Sequence, residues 1–397
     1  MSSWFKDIGP GTLVAAAFIG PGTVTMCTLA GVQSGYALLW AMVLSIGATI
    51  VLQEAAARTS LITGKNLATV ITTHLHRPIV KNIIVIIIFS GILIGNTAYE
   101  AGNISGAVLG MNAVLGNNIA AYYPLIIGII AFLLLNSGSY KVIEKVLIAL
   151  VLIMSTAFMI TAILTQPALT ELFKGLLIPK MARDEILIVI GLIGTTVVPY
   201  NLFLHSSLVN EKWSDQKDLK KVRKDLFVSV SLGGVVSLAI IISAGSIQGQ
   251  SITSGADLGA GLASFLGDKA KYLVGIGLFA AGITSAITAP LAASYVAESL
   301  FGWDKNLGGI KFKSIWAGIL VIGVLFSSIG FKPIEIIKFA QIANGLLLPC
   351  MAILLFWIVN QSNVLSTYKN NMTQNLILGF IILITILLGA KGMLTLL

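Results

Sequence analysis

One carboxylate, Glu100, stands near the middle of a long apolar run, whereas Glu54, Glu144 and Glu298 lie near the ends of theirs. In apolar surroundings a carboxylate either compensates the charge of a cation or carries a proton. The competing reading has Glu100 bonded to nearby backbone or to Asn103 and meeting no ligand. His205 lies in a second apolar run, and an imidazole titrates close enough to neutrality to relay protons. A hydrogen-bonded packing histidine is the alternative there. Uncharged oxygen is supplied by the hydroxyls of Thr23, Thr195 and Thr196 and by the amides of Asn201, Gln341 and Asn344. In Phe339-Ala340-Gln341-Ile342-Ala343-Asn344-Gly345 the two amides are three apart and share a helix face. They either line a pocket or tie helices together by hydrogen bonds. Such a set suits a hard cation such as Mg²⁺, which prefers oxygen and often keeps several waters. Met26 and Cys27 could supply sulfur beside it, with helix packing as the default for both.

Two interruptions of apolar helices must position these groups. In Ala15-Ala16-Ala17-Phe18-Ile19-Gly20-Pro21-Gly22-Thr23-Val24-Thr25-Met26, Pro21 has no N–H for the helix ladder, and Gly20 and Gly22 tolerate backbone angles that other residues resist. A helix break is expected at Pro21 and Gly22, and a second at Pro199 in Thr195-Thr196-Val197-Val198-Pro199-Tyr200-Asn201. A lone break of this kind can be a packing kink; two of them point to a binding site. Backbone groups freed in hydrocarbon must find protein, water or a ligand, so such breaks line cavities. Discontinuous helices build the substrate sites of secondary transporters near the midplane. The expected substrate-binding set is therefore Gly20, Thr23, Glu100, Thr195, Val198, Asn201, Gln341 and Asn344, with the carbonyls freed at Gly20 and Thr195 facing the pocket.

Composition places these elements in a bilayer. The 397 residues are 56% hydrophobic and only 10% charged, with a mean hydropathy of +0.95. No water-soluble fold hides so much apolar surface, and repeated apolar runs of about 20 residues read as spans. Eleven spans are expected, near 11–33, 37–58, 83–109, 122–136, 143–165, 186–209, 226–247, 271–300, 314–330, 333–359 and 375–396. Nothing between them is long enough for a soluble domain, so 1–397 reads as a single transmembrane domain. The formal charge of +9 belongs to cytoplasmic loops rather than to a nucleic-acid surface, because most Lys and Arg sit between spans. An N-terminus inside places 17 of the 25 basic residues on the cytoplasmic side, so the N-terminus is expected inside and the C-terminus outside the cytoplasmic (inner) membrane. The cluster from Glu211 to Asp225 fixes the sixth-to-seventh connection inside, as a topology anchor and solvated linker rather than a lipid or partner site. Cys27 and Cys350 fall within spans and read as free thiols. Met1 to Gly9 is short and polar, unlike a cleavable signal peptide. The breaks lie five spans apart, in helices of opposite direction, as two inverted five-helix repeats require. Their expected extents are about 11–165 and 186–359, with an extra helix at about 375–396.

Several segments resemble the Nramp (natural resistance-associated macrophage protein) metal-ion transporters. They are Gly9-Pro10-Gly11 then Gly20-Pro21-Gly22-Thr23; Leu52-Gln53-Glu54 through Arg58 with Ile62-Thr63-Gly64-Lys65-Asn66-Leu67-Ala68; Ala98-Tyr99-Glu100-Ala101-Gly102; Val198-Pro199-Tyr200-Asn201-Leu202-Phe203-Leu204-His205-Ser206; and Ala280-Ala281-Gly282 through Tyr295-Val296-Ala297-Glu298. They stay collinear over nearly the whole chain. The resemblance implies an all-α polytopic membrane protein of LeuT-like fold, working by alternating access. It also implies the family's usual activity, proton-coupled uptake of divalent transition metals such as Mn²⁺ and Fe²⁺. The departures fall in the substrate site. Where the family typically carries Asp-Pro-Gly-Asn, with Asp and Asn ligating the metal, this chain has Gly20 and Thr23. Where the family has Ala-Thr-Val-Met-Pro-His, this chain has Thr195-Thr196-Val197-Val198-Pro199-Tyr200, without the Met thioether or the His. Thr97 replaces an acidic residue tied to proton movement. His205 matches a histidine associated with the proton route, so Glu100 and His205 are the relay candidates.

The expected function is thus secondary transport of a divalent metal ion, of the Mn/Fe type or Mg²⁺, through an altered site. Its tentative metal ligands are Glu100, Thr23, Gly20 and Thr195, and selection against Mg²⁺ or Ca²⁺ is weakened by the missing soft ligand. The alternative is the same fold repurposed for a small polar organic solute or a monovalent ion. A sensor on this scaffold has no appended signalling segment to support it. An enzyme is disfavoured by the lack of a nucleophile–base pair, a closed metal-ligand set or a phosphate-binding loop. No cofactor and no nucleic-acid partner is expected. The partners are the lipid bilayer and the small ion, and the chain is expected to act as a monomer.

Overall fold

The computed structural model describes residues 19–75, 77–137, 141–303 and 309–396. Gly9-Pro10-Gly11, the first span as far as Phe18, Lys6 and Lys305 lie outside the described residues, as do the side chains of Lys141 and Glu144. The described chain is helical throughout its core. The main helices are α1 (Pro21–Ser34), α2 (Leu39–Thr63), α3 (Leu67–His74), α4 (Pro78–Leu115), α5 (Tyr123–Ser137), α6 (Lys141–Leu164) and α7 (Leu169–Leu177). They continue as α8 (Ile186–Thr196), α9 (Pro199–Lys212), α10 (Leu219–Gly245), α11 (Ala270–Phe301), α12 (Ile310–Ser328), α13 (Pro333–Val359) and α14 (Met372–Leu396).

Ten stretches among the described residues are long and apolar enough to cross a membrane, α8 and α9 counting together as one. They match the second to eleventh expected spans, and α1 supplies the described part of the first. Local chemistry sets the ends. Pro21, Pro78, Pro199 and Pro333 each open a helix at the position where an N–H is not needed. Gly35 (φ 58°) and Gly64 (φ 64°) close α1 and α2 in backbone conformations that a side chain would resist. Large apolar side chains such as Ile94, Leu133, Ile163, Leu232 and Leu325 point outward. On a protein this apolar they form the lipid-facing surface.

At the centre α4 packs along α11. The contact is backbone-close: a Cβ on Gly110 would lie 2.4 Å from the Gly275 carbonyl, and one on Gly282 would lie 2.7 Å from Ala107. Small residues at helix crossings are how membrane helices approach without a hydrophobic driving force between them. Around this pair the packing repeats with an offset of five spans. Helix α1 lies on α10 as α8 and α9 lie on α2, and α4 lies on α13 as α11 lies on α6.

One linker differs from expectation. The stretch from Glu211 to Asp225 is not wholly solvated: α9 runs into it, α10 starts within it, and Trp213, Leu219 and Val222 are buried with Ala57, Leu61 and Val209 in a small apolar cluster. Alternating charged and apolar residues let its basic side chains reach water while these three anchor it.

Candidate functional site

Proline chemistry opens both breaks. Helix α1 starts at Pro21, directly after an extended Gly20. Helix α8 ends at Thr196, and Val198 is extended (φ −82°, ψ 122°) before α9 starts at Pro199. A proline at 199 cannot donate to the Thr195 carbonyl and disfavours helical angles at the residue before it. The Gly20 carbonyl is not freed as expected. It accepts a hydrogen bond from the Val24 N–H at 3.2 Å, because α1 resumes at once and Gly20 caps its first turn.

The two breaks meet. The hydroxyls of Thr23 and Thr195 are 2.9 Å apart and buried. Helix α13 closes over both: a Cβ on Gly22 would lie 2.3 Å from Gln341 Nε2, and one on Gly194 would lie 1.9 Å from the Gln341 carbonyl. Helix α4 seals the first break from another side, where a Cβ on Gly106 would fall 2.1 Å from the Pro21 ring. Asn344, one turn along α13, faces Gly95 of α4, at whose Cβ position its Oδ1 would stand 3.5 Å away.

Glu100 is fully buried on α4. Asn103 donates to its Oε2 at 3.3 Å, and Gly323 of α12 packs against its Cγ. Among the described residues no cation pairs with it. Beside it in sequence, Tyr99 meets Tyr200 of α9 edge-to-face with ring centroids 5.6 Å apart. This ring pair packs the stretch of α4 next to Glu100 against the start of α9. Thr97 donates back to the Leu93 carbonyl at 2.7 Å and so offers no proton site. His205, two turns into α9, is buried with Nδ1 3.0 Å from Gln53 Oε1 of α2.

Several buried polar atoms here have no hydrogen-bond partner among the described residues: Glu100 Oε1, the Tyr200 hydroxyl, both amide atoms of Asn201, Gln341 Oε1, Asn344 Nδ2 and His205 Nε2. Buried polar groups are nearly always paired, so a concentration of exceptions calls for a ligand or ions at that level. Four of these six residues contribute oxygen, and Glu100 alone brings a carboxylate. Val198 is buried at the break but offers only methyl groups. No group of three or more His, Cys, Asp or Glu able to hold a metal occurs among the described residues. Sequence reasoning passed over three residues that the fold brings in. Tyr99 and Gln53 stood within quoted motifs without a role, and Tyr200 stood directly after the break.

Solvent reaches the site from neither end. Thr23, Glu100, Thr195, Val198, Asn201, Gln341 and Asn344 are all buried. On one side a cavity of about 510 Å³ is lined by Lys65, Asn66, Ser207, Asn210, Glu211 and Glu298. On the other, a cavity of about 350 Å³ lies among Ser34, Tyr36, Glu171, Lys174, Lys180 and Gln248. Cys27 and Cys350 are free thiols.

The family model described as natural resistance-associated macrophage protein-like matches residues 11–395. A Klebsiella pneumoniae protein named divalent metal cation transporter MntH is 28% identical over 360 residues, which cover 88% of this chain and 84% of that protein. The crystal structure of the Eremococcus coleocola manganese transporter superposes with a TM-score of 0.79 at 21% identity, over 98% of this chain and 87% of that one. MhsT in complex with L-phenylalanine superposes at 0.59 and 14% identity, over 96% and 98%. These likenesses fix the fold as LeuT-like, two inverted five-helix repeats followed by an eleventh helix.

Proposed function

Because the chain belongs to the natural resistance-associated macrophage protein-like (Nramp) family, we propose that this multi-pass membrane transporter carries a divalent metal ion by alternating access, bound between the two helix breaks. The observation that carries the reading is the set of orphaned oxygens of Tyr200, Asn201 and Gln341 at the two breaks, together with the buried carboxylate of Glu100, unpaired with any cation among the described residues, on the helix α4 that packs against both the first break and Tyr200. A dehydrated divalent ion needs that charge at bilayer depth, and its remaining partners are neutral oxygens. The name of the Klebsiella pneumoniae relative supports the same cargo. An organic solute is disfavoured, since Gln341 and the Thr23–Thr195 contact fill the space between the breaks.

The ligand set is hard. Without a thioether at Val198 it discriminates less between Mn²⁺ or Fe²⁺ and Mg²⁺. The Gly20 carbonyl, already bonded to Val24, drops to a backbone role, and the proposed ligands are Glu100, Thr23, Thr195, Asn201 and Gln341, with Asn344 behind them. His205, held by Gln53, is the proposed proton partner of Glu100. In this reading the repeats extend over about 11–165 and 186–359, with the N-terminus on the cytoplasmic side of the inner membrane and the C-terminus outside.

Calorimetric titration of the purified protein with Mn²⁺, Mg²⁺ and Ca²⁺, repeated on Glu100→Gln, tests this. Saturable binding of at least one ion that is lost in the still-folded variant is the expected result. Unchanged affinity in the variant would move the site elsewhere, and no binding of any of the three would end the metal reading.

A further inference from the structure

The motif Glu54 to Arg58 and the basic stretch before α10 take no part in the site above, yet the fold joins them. Arg58 is buried and fully committed: its Nε donates to both Glu54 oxygens at 3.1 and 3.2 Å, Nη2 donates to Asn370 Oδ1 at 2.6 Å, and Nη1 donates to the Tyr368 carbonyl. Arg223 differs. It donates to the same Glu54 through Nε at 2.8 Å and Nη2 at 2.7 Å, but its side chain remains 45% exposed. Two guanidinium groups therefore share one carboxylate, and the excess positive charge sits on the accessible one. Lys220, one turn before Arg223, and Lys369, next to Asn370, are exposed and add to it.

A cleft of about 270 Å³ runs from this node between α2 and α14. Its polar end is Glu54, Arg58, Arg223, Asn370 and Gln374; its apolar end is Ile50, Val51, Ile377 and Leu378. The apolar residues lie one turn from Glu54 and from Gln374, toward the middle of their spans. Ile377 and Phe227 are exposed on the same side, so the cleft opens on the lipid-facing surface at the end where three spans begin or finish.

Against the sequence-based expectation that the stretch holding Arg223 is no lipid site, we infer that this cleft is a binding site for an anionic phospholipid, its phosphate on Arg223 and the Gln374 amide and its acyl carbons on Ile50, Val51 and Ile377. Arginine is the side chain best suited to a phosphate fork, and basic residues at the ends of spans recruit negatively charged headgroups. The aliphatic end requires a chain as well as a headgroup, which a soluble phosphate lacks. Glu54 and Arg58, which also line the cleft, hold Arg223 in place, and the second guanidinium offsets the Glu54 charge so that the node stays net positive.

The test uses delipidated protein in detergent, titrated with phosphatidylglycerol, phosphatidylcholine or glycerol phosphate, with bound molecules counted by native mass spectrometry. Retention of phosphatidylglycerol in preference to phosphatidylcholine is expected. Arg223→Gln should weaken it about five- to tenfold, the effect of one basic contact. Ile377→Trp, which fills the apolar end and leaves every charge in place, should weaken it as well, and it decides the matter if Arg223→Gln fails to fold. Equal retention of the two lipids, undiminished retention in both variants, or equally tight binding of glycerol phosphate would each overturn the inference.

Discussion

The side chains at the two breaks form an unusual balance of hardness and charge. Each buried, unsatisfied polar atom costs about 1–3 kcal/mol, and here the orphaned atoms of Tyr200, Asn201 and Gln341 occur around one pair of helix breaks, with that of Glu100 on the adjoining α4. Their chemistry is almost all oxygen, so what the site lacks is a soft ligand. Val198 is the position where one can be added, because it is buried and extended, directly before Pro199. Val198→Met should raise the ratio of Mn²⁺ to Mg²⁺ affinity by roughly tenfold, the size of effect that ligand-shell changes have on metal sites. The longer side chain should also lower stability by about 1–3 kcal/mol through overpacking. Parallel titrations and thermal melts read both effects. An unchanged ratio would show that the side chain at 198 faces away from the ion.

At the scale of elements, the breaks are held open by neighbours more than by their own prolines. Pro21 rests against Gly106 of α4, and α8 rests against the α13 backbone at Gly194. Gly106→Ala would place a methyl group 2.1 Å from the Pro21 ring, where neither backbone can yield cheaply. A loss of about 1–3 kcal/mol, with a fall in metal affinity, is expected in melts and titrations. Gly318→Ala on α12, whose Cβ would meet nothing within 4 Å, should show neither and serves as the control. Such contacts explain what the sequence conceals. Apolar runs and prolines announce ten spans and both breaks, since hydrophobic length and a missing N–H are local properties. The full reach of α4 from Pro78 to Leu115 exceeds the hydrocarbon run and is legible only in part. The Thr23–Thr195 contact, the Gln53 partner of His205 and the Tyr99–Tyr200 pair join residues more than a hundred positions apart. No local pattern encodes which of many polar residues will meet across such distances. The capped Gly20 carbonyl escaped for a different reason: a break was read as freeing the backbone, whereas the helix restarts within one residue.

Across the whole molecule, the closed site lies between two sets of ties of unequal strength. On the side of the smaller cavity, Ser34 donates to Glu185, Trp40 Nε1 donates to the Lys180 carbonyl at 3.0 Å, and the Gly249 N–H donates to the Val32 carbonyl at 2.9 Å. On the other side, Ser60 donates to the Ser206 carbonyl at 2.6 Å, Asn210 donates to Ser60 Oγ at 2.9 Å, and the buried Arg58 links α2 to the segment before α14. The first set has one charged member, Glu185, and the second is anchored by a buried guanidinium. Alternating access needs each set to yield in turn, and the weaker should yield first. Cys27, buried in α1 between the breaks and Ser34, reports on that side alone. In a Cys350→Ser background, Glu185→Ala should speed modification of Cys27 by a hydrophilic thiol reagent about tenfold, since a hydrogen bond to a charged group contributes about 1.5 kcal/mol or more. Arg58→Gln, acting at the opposite end, should leave that rate unchanged. If both substitutions accelerate labelling equally, the two ends open together, and the protein is loosened as a whole rather than gated from alternate sides.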